Sequence, residues 1–127
     1  RCTGPNQATG ELSGGNQQKV CLARAVTLDP DILIVSEPTR GIDIGAKKLV
    51  LEYLVKLNRE QGKTIIVVSS ELTELRSLCD RIAIITGGKL GAIMKPDDSD
   101  ADYGLVMSGA KTAANLAKER AGGEEIE

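Results

Sequence analysis

Three short aliphatic runs constrain this chain more than anything else in it: Ile32–Val35, Ile65–Val68 and Ile82–Ile85. An unbroken apolar run of that length suits a strand buried on both faces. Stretches with helical spacing separate the runs. Ahead of the first, Ser13 opens a helical segment in which Val20 pairs with Ala23 and Leu22 with Val26, and Asp29-Pro30 ends it. Between the first and second, Val50, Leu54 and Leu57 form one stripe, with Asp43 placed to cap its start and Gly62 its end. A short helix carrying Leu72, Leu75 and Cys79 precedes the third run. Strands alternating with helices predict an α/β fold built on a parallel sheet. Beyond the third run, Gly87-Gly88 turns the chain back through Lys89–Met94 as a C-terminal hairpin. Asp97–Asp100 precedes a further helix reaching about Gly109, which bounds a domain at 1–109. Residues 110–127, rich in Ala, Lys and Glu, read as a polar tail, a frayed helix or disordered.

Composition removes several kinds of chemistry. Among 127 residues there is no histidine, which excludes Ser-His-Asp and Cys-His catalysis and zinc sites built on imidazole. Hydrophobic residues reach 41% but aromatics only 2%, so the core is expected to be aliphatic. Sixteen basic and eighteen acidic residues give a net charge of −2, and with two tyrosines there is neither a basic footprint nor a stacking platform for nucleic acid. Cys2, Cys21 and Cys79 are far apart and form no C-x-x-C pair, which fits a reducing, intracellular setting. No apolar run approaches the ~20 residues a membrane-spanning helix needs. The chain opens at Arg1, without Met, close ahead of a strong motif, and so reads as a piece of something longer.

Four short segments carry candidate chemistry. In Leu12-Ser13-Gly14-Gly15-Asn16-Gln17-Gln18-Lys19, two glycines in a first helical turn weaken the helix by ~1 kcal/mol each relative to Ala. They permit an anion to approach bare N–H groups at the positive end of the helix dipole, with the Ser13 hydroxyl and the Asn16 or Gln17 amides as neutral donors; an ordinary Ser N-cap is the alternative. Glu37 follows the first aliphatic run, and a carboxylate just past a buried parallel strand faces the crevice where α/β proteins bind ligands. There it is either a base or orienting group for an attacking water, or a solvated side chain at a strand end. Gly41-Ile42-Asp43 offers a helix cap. In Val68-Ser69-Ser70-Glu71, Ser70 either caps the next helix or touches a phosphate. Asp98, Asp100 and Asp102 begin like a calcium loop, but Tyr103 and Gly109 occupy the sixth and twelfth positions where Gly and Glu belong.

Taken together, residues 12–20, Ala23-Arg24-Ala25, the buried strand, Glu37-Pro38-Thr39 and Gly41-Ile42-Asp43 resemble the ATP-binding cassette (ABC) ATPases, in the order signature motif, Walker B strand, D-loop. The Gly-Gly-Asn-Gln-Gln-Lys form, followed by Glu37-Pro38-Thr39-Arg40-Gly41-Ile42-Asp43, is similar to the second cassette of the fused ATPases that power monosaccharide importers. The likeness covers about residues 10–109. It implies part of a P-loop NTPase domain that works with ATP and Mg²⁺ on the cytoplasmic side of the cell membrane. Its implied partners are an opposing nucleotide-binding domain, transmembrane permease subunits and, indirectly, a solute-binding protein, with no nucleic acid. Importers of other solutes, such as nucleosides, and ABC ATPases outside transport are the alternatives.

By the same resemblance the chain's duties divide. Ser13, Gly14, Gly15 and Gln17 would hold ATP bound on the opposing cassette, Glu37 would act on the attacking water, and Asp43 would organise the dimer interface. Ser36 stands where the family has a Mg²⁺-holding aspartate, and Ser70 where it has a histidine contacting the γ-phosphate. Losing that aspartate forfeits attraction on the order of 4 kcal/mol at an effective dielectric near 20, before desolvation is deducted. The half-site around Ser36 is therefore expected to be impaired while the signature segment is intact. No G-x-x-x-x-G-K-[ST] occurs in the 127 residues, so the chain by itself is expected not to hydrolyse ATP.

Overall fold

The computed structural model describes the backbone of residues 14–123, with side chains for 19–119, 121 and 122. They form two compact units, the first running to Glu71 and the second starting at Leu72.

The first unit is a helix followed by a βαβ crossover: α1 (Gly14–Thr27), β1 (Ile32–Ser36), α2 (Ile44–Gln61) and β2 (Thr64–Val68). β1 and β2 pair in parallel, with Ile32 opposite Thr64 and Ser36 opposite Val68. Their pleat divides the side chains by parity. Leu33, Val35 and Ile65 pack with Val50, Leu54 and Leu57 of α2 and with Leu22, Ala25 and Val26 of α1. The even-numbered positions Ile32, Ile34, Ile66 and Val68 remain exposed. The aliphatic pattern predicts burial on both faces; a single crossover helix covers one face of a strand pair, and the described residues leave the other open. On α1, Leu22 and Val26 turn inward as the spacing predicts, while Val20 and Ala23 are exposed.

α2 is delimited by the residues its sequence assigns to that task. Asp43 sits in extended conformation, and its Oδ2 accepts from Ala46 N at 3.3 Å. Gly62 ends the helix at φ 66°, donating to Asn58 O, while Lys63 N donates to Leu57 O. The Gly62 bond is the αL closure of a helix, and only a residue tolerant of the left-handed region makes it without strain.

The second unit comprises α3 (Leu72–Leu78), β3 (Ile82–Thr86), β4 (Lys89–Met94), α4 (Asp100–Met107) and α5 (Ala113–Gly123). β3 and β4 form the expected antiparallel hairpin through Gly87-Gly88, both at positive φ as a two-residue primed turn demands. The third aliphatic run thus belongs to an antiparallel pair with β4, whereas among the described residues the parallel sheet consists of β1 and β2. Within β3, Ile82 and Ile84 are buried and Ala83 and Ile85 exposed, so one face of this run also stays open.

The composition predicts an aliphatic core, yet among the described residues the largest fully buried side chain is Tyr103. It packs with Ile82, Ile84, Ala92, Met94, Val106 and Leu116, and its hydroxyl donates to Lys95 O at 2.5 Å. Arg76 lies 4.9 Å over the Tyr103 ring, donates to Pro96 O and Asp98 O, and pairs with Asp100. Burial of the phenol pushes the Tyr103 pKa up, against the opposing pull of Arg76. The acidic run reads as a helix start: Ser99 caps α4 by accepting from Asp102 N, and Asp98 accepts from Lys95 N. Among the described residues no cluster of three His, Cys, Asp or Glu could hold a metal.

Where the polar composition from residue 110 suggests a frayed helix or tail, residues 113–123 are helical as α5. The reason is one apolar residue, Leu116, 5% exposed in the core, together with Lys111 bridging Asp102 and Glu119. Cys21 and Cys79 are free thiols, and burial, then Asp80, raises the pKa of Cys79; Cys2 lies outside the described residues. No described helix is long and apolar enough to cross a membrane.

Candidate active site

The parallel pairing of β1 and β2 brings two sequence-distant segments to one sheet end. Ser36, the last residue of β1, lies opposite Val68, the last of β2. Glu37 then extends the register by one bond, its N–H donating to Val68 O at 2.7 Å. Its φ of 47° places a non-glycine residue in the left-handed region. That conformation costs roughly 1–2 kcal/mol for an L-residue. The adjoining turn holds it in place: Pro38 and Thr39 are buried, Arg40 N donates to Glu37 O, and Ile42 N donates to Thr39 O.

So aimed, the half-buried Glu37 side chain crosses to the end of β2. Oε1 accepts from Ser70 N at 3.0 Å, and Oε2 from the Ser69 hydroxyl at 3.4 Å. The Ser69 oxygen in turn accepts from Glu71 N at 3.0 Å. Glu71 pairs with Lys47 of α2 at 3.1 Å, which ties the first turn of that helix to the same segment.

Of the residues singled out from the sequence, Glu37 and Ser70 are therefore in direct contact, through the backbone N–H of Ser70 rather than its hydroxyl. Ser36 adjoins them and is exposed. Asp43 serves as the cap of α2. Gly14 and Gly15 fall in the first turn of α1, while Ser13 and the side chain of Gln17 lie outside the described residues. Sequence reasoning misses Ser69 and Lys47. The Ser-Ser-Glu sequence after an aliphatic strand is the available signal for Ser69; nothing local marks Lys47.

A carboxylate has about four acceptor positions. Two are occupied here, which leaves the rest for water or a water on a cation. A shallow cavity of ≈ 180 Å³ lies nearby, lined by Cys21, Leu22, Ala25, Leu33–Ser36, Pro38 and Val50. It is mostly apolar and below the ~300 Å³ at which small-molecule pockets begin.

The fold and the sequence define the chain as part of an ABC ATPase cassette. Residues 2–40 match the family model described as ABC transporter. Over 108 residues the chain is 43% identical to the galactose/methyl galactoside import ATP-binding protein MglA of Treponema pallidum (strain Nichols), covering 85% of this chain and 22% of that protein. Over 102 residues it is 43% identical to the ribose import ATP-binding protein RbsA of Bacillus cereus (strain ZK / E33L), covering 80% and 20%. The chain thus spans about a fifth of the length of the curated relatives it matches. Its fold is similar to that of a dimeric ATP-binding cassette, MJ0796, in a post-hydrolysis state bound to ADP and Pi. The TM-score is 0.67 at 33% identity, over 74% of this chain and 40% of that one.

Proposed function

We propose that this chain supplies the signature segment and the hydrolytic carboxylate of a subunit that hydrolyses ATP to drive import of simple sugars. The observation that carries the reading is the Glu37 carboxylate, anchored past a parallel strand by Ser69 and Ser70. In that position Glu37 takes a proton from water as the water oxygen bonds to the γ-phosphorus. The bond to the β,γ-bridging oxygen breaks, and ADP and phosphate leave. The likeness to the sugar-import ATP-binding proteins MglA and RbsA and to the ADP- and Pi-bound cassette dimer supports it.

The donor set bears on the metal. Glu37 is a lone carboxylate already accepting two hydrogen bonds, and Ser36 is a neutral hydroxyl. These groups fit a water-mediated contact with a cation arriving on the nucleotide, not a resident metal site. Bound with ATP, Mg²⁺ neutralises charge on the β- and γ-phosphates. Ser36 would hold one of its waters, and Ser70 would lie beside the γ-phosphate.

The rest of the assignment is taken from the family arrangement. Ser13, Gly14, Gly15 and Gln17 face ATP on an opposing cassette, with Asp43 at the interface between the two. The assembly works at the cytoplasmic face of the membrane, against permease subunits fed by a solute-binding protein. The test is reconstitution of the full-length protein with its permease in vesicles, with galactose, ribose and a nucleoside offered in turn. Sugar uptake coupled to ATP hydrolysis, both abolished by Glu37→Gln, is the expected result. Uptake of the nucleoside alone would overturn the cargo, and full turnover in Glu37→Gln would overturn the catalytic role.

A further inference from the structure

We infer that Ser69 is a positioning residue for the Glu37 carboxylate, an assignment that rests on reading Glu37 as the general base. A serine hydroxyl has one proton to donate. The Ser69 oxygen accepts the Glu71 N–H at 3.0 Å, and its proton is directed to Glu37 Oε2, 3.4 Å away. The other carboxylate oxygen is fixed by Ser70 N at 3.0 Å. Consecutive residues therefore hold the two oxygens separately. With the Ser70 contact alone the carboxylate would pivot about Oε1 and swing its remaining lone pairs off the line of an attacking water.

The length of the Ser69 contact is informative. An O–H···O bond is ordinarily near 2.7–2.8 Å. Catalytic hydrogen bonds are often long before substrate binds and shorten in the loaded complex. Ser69 is set for that change, because its oxygen is secured from the far side by Glu71, whose carboxylate is held at 3.1 Å by Lys47 from the first turn of α2. The segment after β2 is thus tethered at two points, and a small shift of α2 reaches the base through them.

The experiment compares Ser69→Thr with Ser69→Val in the full-length protein. The two side chains have the same shape and only one carries a hydroxyl. Thr is expected to keep kcat within about twofold of the parent; Val should lower it about tenfold, as loss of one hydrogen bond to a charged group implies, with KM for ATP unchanged. Rescue by Thr, with the loss in Val confined to kcat at a urea midpoint equal to that of the Thr variant, is what a merely structural turn would not produce. Equal kcat for Thr and Val, or a Val loss that comes with a raised KM or a lowered urea midpoint, overturns the assignment. Glu37→Gln measured alone separates the two readings: if it abolishes turnover while Thr and Val are equal, only the role of Ser69 fails. If it turns over at the parental rate, the general base itself is wrong.

Discussion

At Ser36 a single hydroxyl stands beside Glu37, the carboxylate proposed as the base for hydrolysis. Replacing it by aspartate restores a negative charge where Mg²⁺ would sit, and the Coulomb gain, on the order of 4 kcal/mol before desolvation, favours the metal-loaded nucleotide. Ser36→Asp in the full-length protein, with the opposing site disabled, is therefore expected to lower the Mg²⁺ concentration for half-maximal turnover and to raise the rate. An unmodified site that already matches its partner would show that the serine costs nothing. Glu37 and Ser70 are legible in the sequence because they adjoin aliphatic strands, a purely local signal, and Ser36 only through the family resemblance. Ser69's hold on Glu37 spans 32 residues and Lys47's on Glu71 spans 24. Contacts of that reach depend on strand register, which emerges only when β1 and β2 pair, so no local pattern announces them.

The elements themselves are more readable where a backbone requirement picks the residue. Asp43, Gly62 and Gly87-Gly88 each mark a boundary that the structure keeps. Asp43→Ala is expected to cost ~1 kcal/mol through the lost cap. Gly62→Ala should cost about as much, by forcing a β-carbon into the left-handed region. Each is checked by the urea midpoint at unchanged slope. The partner of a strand is harder to read than its existence. Ile82–Ile85 is as aliphatic as the other runs, but the Gly-Gly turn lies two residues on, and a chain reversed so soon pairs first with its own neighbour. α5 is obscured in the same way: one leucine in an Ala/Lys/Glu background gives almost no periodic signal, although Leu116 reaches the core.

On the scale of the whole molecule, the second unit should fail in alkali. Burial raises the pKa of Tyr103, and Glu119, with Asp102, raises that of Lys111. In both cases the folded chain holds the proton more tightly than the unfolded one. Stability from these groups is complete below their ordinary values of 10.0 and 10.5, and falls as pH rises through the elevated ones. Thermal unfolding followed from pH 8 upward is expected to show Tm declining from about pH 10, less steeply in Tyr103→Phe. In a Tyr53→Phe background, the remaining tyrosinate absorbance should appear late. The backbone at Glu37 imposes a different trade. A residue with no β-carbon would relax there by roughly 1–2 kcal/mol. A library randomised at position 37 and screened for heat resistance should accordingly enrich glycine, while the same library screened for sugar-dependent growth should return glutamate. With Glu37 as the proposed base, durability and work make opposite demands on that one spot, and glutamate is the choice that favours work.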